Sequence, residues 1–201
     1  MGDHNQAENR IVATPVTPYR PEFTAALEIF ARICAAMVER GFTRPILVGG
    51  AAVEFYSMGF ITTGDFDLCS PAQDTLEAEF QRHGFVRPSG PGRATRGWVH
   101  PDLGLGFEVV GDMPLDGSVT REHIALVEDF DDSPPFAIIS VEDLIADRMG
   151  QYASGTAREM LAQAQTLLRL HPDANMDYLE QRVRHETGGD FGAEDVLDRQ
   201  D

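Results

Sequence analysis

Within the stretch LVGGAAVEFYSMGFITTGDFDL, residues 47–68, Asp65 and Asp67 flank a phenylalanine in DFDL, a run that alternates polar and apolar residues as a strand does. Residues i and i+2 of a strand point to the same face, so the two carboxylates must share one small volume while Phe66 and Leu68 face the other way. Like charges held that close repel each other. A hard divalent cation relieves the repulsion: Mg²⁺ favours carboxylate oxygens and keeps positions open for phosphate oxygens and water, and Mn²⁺ is the alternative. The chemistry this pair suggests is therefore metal-assisted phosphoryl transfer, which needs a third carboxylate. Glu108, set among apolar neighbours in LGLGFEVV, is the first candidate, since a charge buried there needs a cation. Asp102 and Asp112 are alternatives, next to Pro101 and Gly111 in segments that read as solvated turns.

The glycine pair Gly49–Gly50 ends the apolar strand PILV and opens a short helix, AAVEFYSMG. Without side chains, such a pair lets backbone amides approach a phosphate at a helix N-terminus. By itself the same pair also reads as an ordinary tight turn.

The elements that must position these residues are legible from periodicity. Residues 1–20 read as a Pro- and Thr-rich arm. In EFTAALEIFARICAAMVERG the apolar residues recur at helical spacing and Gly41 is a stop. A helix is expected over PAQDTLEAEFQRHG, starting at Pro71, and strands over GWVH, LGFEVV and either HIALVED or PFAIISV. The sequence then turns helical: Ser140 caps VEDLIADRMGQYAS with Asp143 at the capping-box spacing, and AREMLAQAQTLLRL and MDYLEQRVRHE follow. The divisions are an arm at 1–20, an α/β core at 21–140, a helical segment at 141–187 and an acidic, frayed tail at 188–201. The layout is α+β.

Composition narrows the partners. The chain has 201 residues and a formal net charge of −17, and all 16 of its basic residues are arginine, with no lysine. Broad electrostatic binding of nucleic acid needs the opposite sign, and no lysine-based mechanism is open. No run is long and apolar enough to span a bilayer and no export signal is present, so a cytoplasmic protein without membrane contact is expected. Cys34 and Cys69 read as buried spectators, and the six histidines show no zinc-like spacing. From Gln81 to His100 there are four arginines, Arg82, Arg87, Arg93 and Arg96, and no acid. That island either edges the site, with Trp98 available to stack on a base, or is a solvated loop with Trp98 in the core.

Taken together, the strand, glycine pair, short helix and Asp-x-Asp strand, followed by a later acidic strand, resemble the nucleotidyltransferase fold of the DNA polymerase β superfamily. VGGAAVEFYSMGFITTGDFDL with ISVEDLIADRMGQYA is similar to small bacterial and archaeal nucleotidyltransferase-like proteins related to abortive-infection toxins and minimal nucleotidyltransferases. The likeness spans roughly residues 44–170 and implies a mixed β-sheet flanked by helices, with a C-terminal helical segment. It implies that Gly49 and Gly50 cradle the triphosphate of an NTP such as ATP, that Asp65 and Asp67 hold Mg²⁺, and that Glu108 completes the metal site and helps deprotonate an acceptor hydroxyl. Thr63 would shape the loop into the metal-binding strand and help bind nucleotide, and Arg148 would face the nucleotide; a surface ion pair within its own helix is the other reading of Arg148. The implied reaction moves a nucleoside monophosphate to a hydroxyl of RNA, protein or a small molecule and releases pyrophosphate. Gly50 stands where such proteins often carry serine, the third carboxylate is Glu rather than Asp, and no lysine meets the phosphates. The alternative implied is a catalytically degenerate, nucleotide-binding protein, or a toxin–antitoxin type protein that works by binding the product of an adjacent gene.

Overall fold

The computed structural model describes residues 17–88 and 97–197. Six strands form one mixed sheet: β1 (Ile46–Val48), β2 (Asp65–Cys69), β3 (Trp98–His100), β4 (Leu105–Gly111), β5 (Ile124–Val127) and β6 (Phe136–Ile139), in the order β3-β4-β2-β1-β6-β5. β1 lies antiparallel to β2 and parallel to β6, while β2 lies parallel to β4. Both alternatives for the last strand form, as the antiparallel pair β5–β6. The helices are α1 (Pro21–Glu39), α2 (Gly49–Tyr56), α3 (Gln73–Arg82), α4 (Val141–Ala153), α5 (Glu159–Leu170), α6 (Met176–Glu186) and α7 (Ala193–Val196). This is the expected α+β architecture, a mixed sheet flanked by helices with a helical C-terminal segment. α3 begins at Gln73, two residues later than Pro71 suggests. No described helix is long and apolar enough to cross a membrane.

Strand alternation divides the sheet into two faces. Leu47, Leu68, Phe66, Phe107 and Ile138 are register partners on one face and are fully buried or nearly so. They pack against α1, where Phe23 lies 5.2 Å from Phe66 and Phe30 lies 5.7 Å from Phe136 between ring centroids. Phe66 and Phe107 stack across β2 and β4 at 4.7 Å. Each such side chain contributes about 1.5–3 kcal/mol by burial, so this face sets the register of the sheet. The residues between them, Asp65, Asp67 and Glu108, are thereby forced onto the opposite face.

Two segments differ from the sequence reading. Thr17 to Arg20, assigned to the arm, are held against α2: Tyr19 stacks on Phe55 at 5.9 Å and donates its hydroxyl to the Phe55 carbonyl at 3.0 Å. In the acidic tail, Ala193 and Val196 are buried in α7, whose first amide donates to Glu180 Oε2 at 2.6 Å. A tail that reads as acidic overall is seated because Ala193 and Val196 fall on one side of a helical turn. Residues 1–16 and 198–201 lie outside the described residues.

Within the helical segment, α4 and α6 are joined through Asp143. Ser140 caps α4 by accepting from the Asp143 amide at 3.1 Å, as its spacing predicts. The Asp143 carboxylate turns away from the backbone to receive Arg182 Nε at 2.6 Å and the Tyr178 hydroxyl at 2.9 Å, both from α6. Both charged residues of this pair are buried. Removing one partner leaves the other desolvated, so Asp143→Ala is expected to cost about 3 kcal/mol and to lower Tm by roughly 6–12 °C in a thermal melt.

Candidate active site

Gly49 is the first residue of α2 and has a φ of +62°, a left-handed conformation that side chains resist. A β-carbon there would stand 2.1 Å from Asp67 Oδ2. The glycine thus serves contact as well as conformation: it lets a carboxylate press against the strand-to-helix turn. The Gly50 amide points at the same oxygen, 3.4 Å away. Asp67 is in turn in register with Glu108 on the neighbouring strand, and Asp65 with Gly106, where a β-carbon would meet Asp65 Oδ1 at 2.6 Å. The structure therefore brings Gly49, Gly50, Asp65, Asp67 and Glu108 to one place on the open face of the sheet. Gly106 is a residue that sequence reasoning missed; its signal is its place opposite Asp65.

Burial grades the carboxylates. Asp65 is exposed, and Asp67 and Glu108 are half-buried. Glu108 is therefore less enclosed than its apolar neighbours imply, because those neighbours alternate to the other face or stand at the open end of β4, where Val110 is exposed. The Asp67 carboxyl is held above the ordinary range, first by desolvation and then by the nearby charges of Glu108 and Asp65; the Gly50 amide and Arg148 pull the other way. Its ionised form is thus under-compensated, and a cation would settle it. Among the described residues no three His, Cys, Asp or Glu side chains converge as a ready-made metal site. Two carboxylates suit Mg²⁺ when phosphate oxygens and water complete its shell, and Asp67 with Asp65 or Glu108 offers two hard oxygen donors.

Beside Asp67 opens a cavity of about 280 Å³ whose walls include Val48, Gly49, Leu115, Asp116, Asp147 and Arg148. α4 supplies Arg148, whose side chain is 8% exposed and donates to Asp147 Oδ2 at 2.7 Å. Arg148 pairs with the adjacent Asp147 in its own helix, as one reading has it, but it is buried rather than on the surface, and it lines the cavity. Asp116 and Asp147 were not singled out from sequence, since single acids in an acidic chain carry no pattern. Leu115 and Asp116 have φ of +48° and +52°, and Ser118 Oγ donates to the Leu115 carbonyl at 2.8 Å beneath them. Strained backbone of this kind costs about 1–3 kcal/mol per residue and persists where surrounding contacts hold it.

Thr63 is near Gly50, with its Cβ 3.2 Å from where a β-carbon on Gly50 would be. Its amide and hydroxyl both donate to Glu54, at 2.7 and 3.2 Å. The basic island does not edge the site in its described part: Arg82 pairs with Glu79 and Arg87 with Glu77 on α3. Trp98 is buried against Phe80 with the Arg87 guanidinium 4.8 Å from its ring, so it belongs to the core and is closed to base stacking. Arg93 and Arg96 lie outside the described residues. Asp102 occupies an exposed turn, and Asp112 borders a separate, more apolar groove. Cys34 and Cys69 are free and buried.

Comparison with solved structures shows a nucleotidyltransferase-like fold. The chain is similar in structure to an antigenic nucleotidyltransferase-like protein from Paracoccidioides brasiliensis, with a TM-score of 0.56 at 13% identity over 84% of this chain and 88% of that one. It is also similar to the antibiotic-resistance factor ANT(2'')-Ia, with a TM-score of 0.51 at 16% identity over 81% of this chain and 91% of that one. At these identities the likeness is one of fold. No protein-family model and no curated protein sequence matches the chain.

Two outcomes follow from the geometry of Asp67. Gly49→Ala is expected to destabilise the fold by at least ~1–2 kcal/mol from its φ alone, with the clash on Asp67 added, whereas Gly50→Ala has only the Thr63 methyl region to displace; thermal melts of the two variants compare them directly. The Asp67 carboxyl in the folded state lies above the 3.8 of an ordinary aspartate. Its ionisation therefore detracts from stability at neutral pH, and the loss is recovered as pH falls through the raised value. Asp67→Asn should melt higher than wild type at pH 7 without ligands, and the difference should shrink on acidification.

Proposed function

We propose that this protein is a nucleotidyltransferase that moves a nucleoside monophosphate from an NTP to an acceptor hydroxyl and releases pyrophosphate. The observation that carries the reading is the seating of Asp67 against the Gly49–Gly50 turn and in register with Glu108. Amides at the start of α2 favour phosphate charge, and the missing side chains leave room for its oxygens. Asp67 with Asp65 or Glu108 would hold Mg²⁺, or Mn²⁺, which when bound would supply positive charge to the triphosphate oxygens.

The chain's own groups account for the remaining demands. Glu108, on the open face beside Asp67, would take the proton from the acceptor hydroxyl as its oxygen forms a bond to the α-phosphorus. The bond from that phosphorus to the bridging oxygen breaks, and the electron pair leaves with pyrophosphate. Arg148, with little solvent around it, is the cation on the cavity wall that faces accumulating phosphate charge and takes the place of the absent lysines. Steering of a polyanionic acceptor by the surface as a whole is opposed by the net charge of −17.

The test is thermal stability with each NTP, with and without Mg²⁺, in wild type and Asp67→Asn. Ligand at a hundredfold its Kd adds about 2.7 kcal/mol, a shift of roughly 5–10 °C for a chain of this size. One NTP is expected to raise Tm only with Mg²⁺ and only in wild type. A chain that no NTP stabilises would overturn the assignment and favour a protein whose work is binding a partner.

A further inference from the structure

Glu54 is the one charged residue of α2, and it is fully buried. It lies four residues after Gly50, one helical turn away on the same side of the helix. Its carboxylate accepts four hydrogen bonds, and all of them come from outside its own helix. Arg20 donates through Nε at 2.8 Å and Nη2 at 3.1 Å, and Thr63 donates through its amide at 2.7 Å and its hydroxyl at 3.2 Å. Arg20 Nη2 also donates to the Thr63 carbonyl. One carboxylate thus joins the residue before α1, the helix that begins at the glycine pair, and the loop that delivers Asp65.

Burying a charge for adhesion alone is a poor use of it, because an apolar side chain of similar volume holds a helix to a core without desolvating an ion. What the carboxylate adds is direction. Thr63 is pinned with its Cβ against the Gly50 side of the turn, while Asp67 fills the Gly49 side. Two residues after Thr63 comes Asp65, the first of the paired carboxylates. The outer part of the same loop is open, with Phe60 77% exposed and Met58 62% exposed at a φ of +53°. The anchor that fixes where β2 starts is therefore on the inside, at Glu54.

We propose that Glu54, with Arg20, is a positioning residue: it clamps Thr63 over Gly50 and so sets the spacing between the glycine turn and the Asp65–Asp67 carboxylates. Both donors of Thr63 are spent on Glu54, so Thr63 acts on nucleotide through this clamp and its own donors do not contact phosphate. The proposal rests on the nucleotidyl-transfer reading of the site.

The test is a double-mutant cycle on the full chain with Glu54→Gln and Thr63→Val, read in two ways. The first is amide hydrogen exchange without ligand, where both variants are expected to speed exchange in residues 58–65 and leave the β1–β6 pairing unchanged. The second is Mn²⁺ and non-hydrolysable ATP and GTP analogues, followed by the paramagnetic signal of bound Mn²⁺. Each single variant should weaken Mn²⁺–nucleotide binding about tenfold, the magnitude usual for residues that orient metal ligands. The double variant should bind no more weakly than the worse single one, and Thr63→Ser, which keeps the hydroxyl, should bind as wild type does. Additive losses would mean that Thr63 touches the ligand independently, and would overturn the clamp. Faster loop exchange with unchanged binding would reduce Glu54 to a structural role and overturn it equally. A wild-type chain that binds no Mn²⁺–nucleotide would instead sink the nucleotidyl-transfer reading and the proposal with it, while the exchange data would still report whether the loop depends on Glu54.

Discussion

The Asp67 carboxylate occupies the space that a β-carbon on residue 49 would need, and the arrangement of the site follows from that contact. The contact requires glycine at the turn, because both the positive φ and the 2.1 Å approach exclude any other residue there. It also requires that β1 and β2 stay in the register that pairs Val48 with Asp67. A shift of one residue would turn every carboxylate of β2 into the aromatic core. The stability of the Phe66–Phe107 face is therefore what keeps the chemistry-bearing face in place.

The two faces of the sheet do opposite work. One buries aromatic side chains against α1 and tolerates no charge; the other gathers Asp65, Asp67 and Glu108, where desolvation and the neighbouring charges hold the Asp67 carboxyl above its ordinary range. The acids stay together because alternation ties each of them to an apolar neighbour that is stabilised by burial. α4 closes one flank of this face and brings Arg148 to the cavity. α4 is in turn held by its Ser140 cap and by the Asp143–Arg182 pair to α6, so the helical segment fixes the position of Arg148, the one cation among the described residues that lines this cavity.

Much of this was legible in the sequence because it rests on short-range rules. Period-2 alternation placed Asp65 and Asp67 together, the glycine pair marked the turn, and Ser140 with Asp143 marked the start of α4. Glu108 was found because a lone acid in an apolar strand stands out. What could not be read depends on tertiary pairing. Nothing local says that Glu54 meets Arg20, thirty-four residues earlier, or that Trp98 faces Phe80 rather than solvent. Of the two readings of the basic island, the one with Trp98 in the core is what the structure shows; Glu79 meets Arg82 three residues on within α3, while Glu77 reaches Arg87 ten residues on. The seating of α7 likewise turns on two apolar residues whose partners lie on other helices.

If the proposed function holds, Asp67 and a nucleotide phosphate meet on the same metal ion beside the glycine turn. The most direct measurement is phosphorus-31 electron–nuclear double resonance on Mn²⁺ bound together with a non-hydrolysable NTP analogue, in wild type and in Asp67→Asn. One Mn²⁺ per chain with a clear phosphorus coupling is expected in wild type, and loss of that protein-bound species in the variant. Mn²⁺ bound without phosphorus coupling, or a signal that Asp67→Asn leaves unchanged, would contradict it.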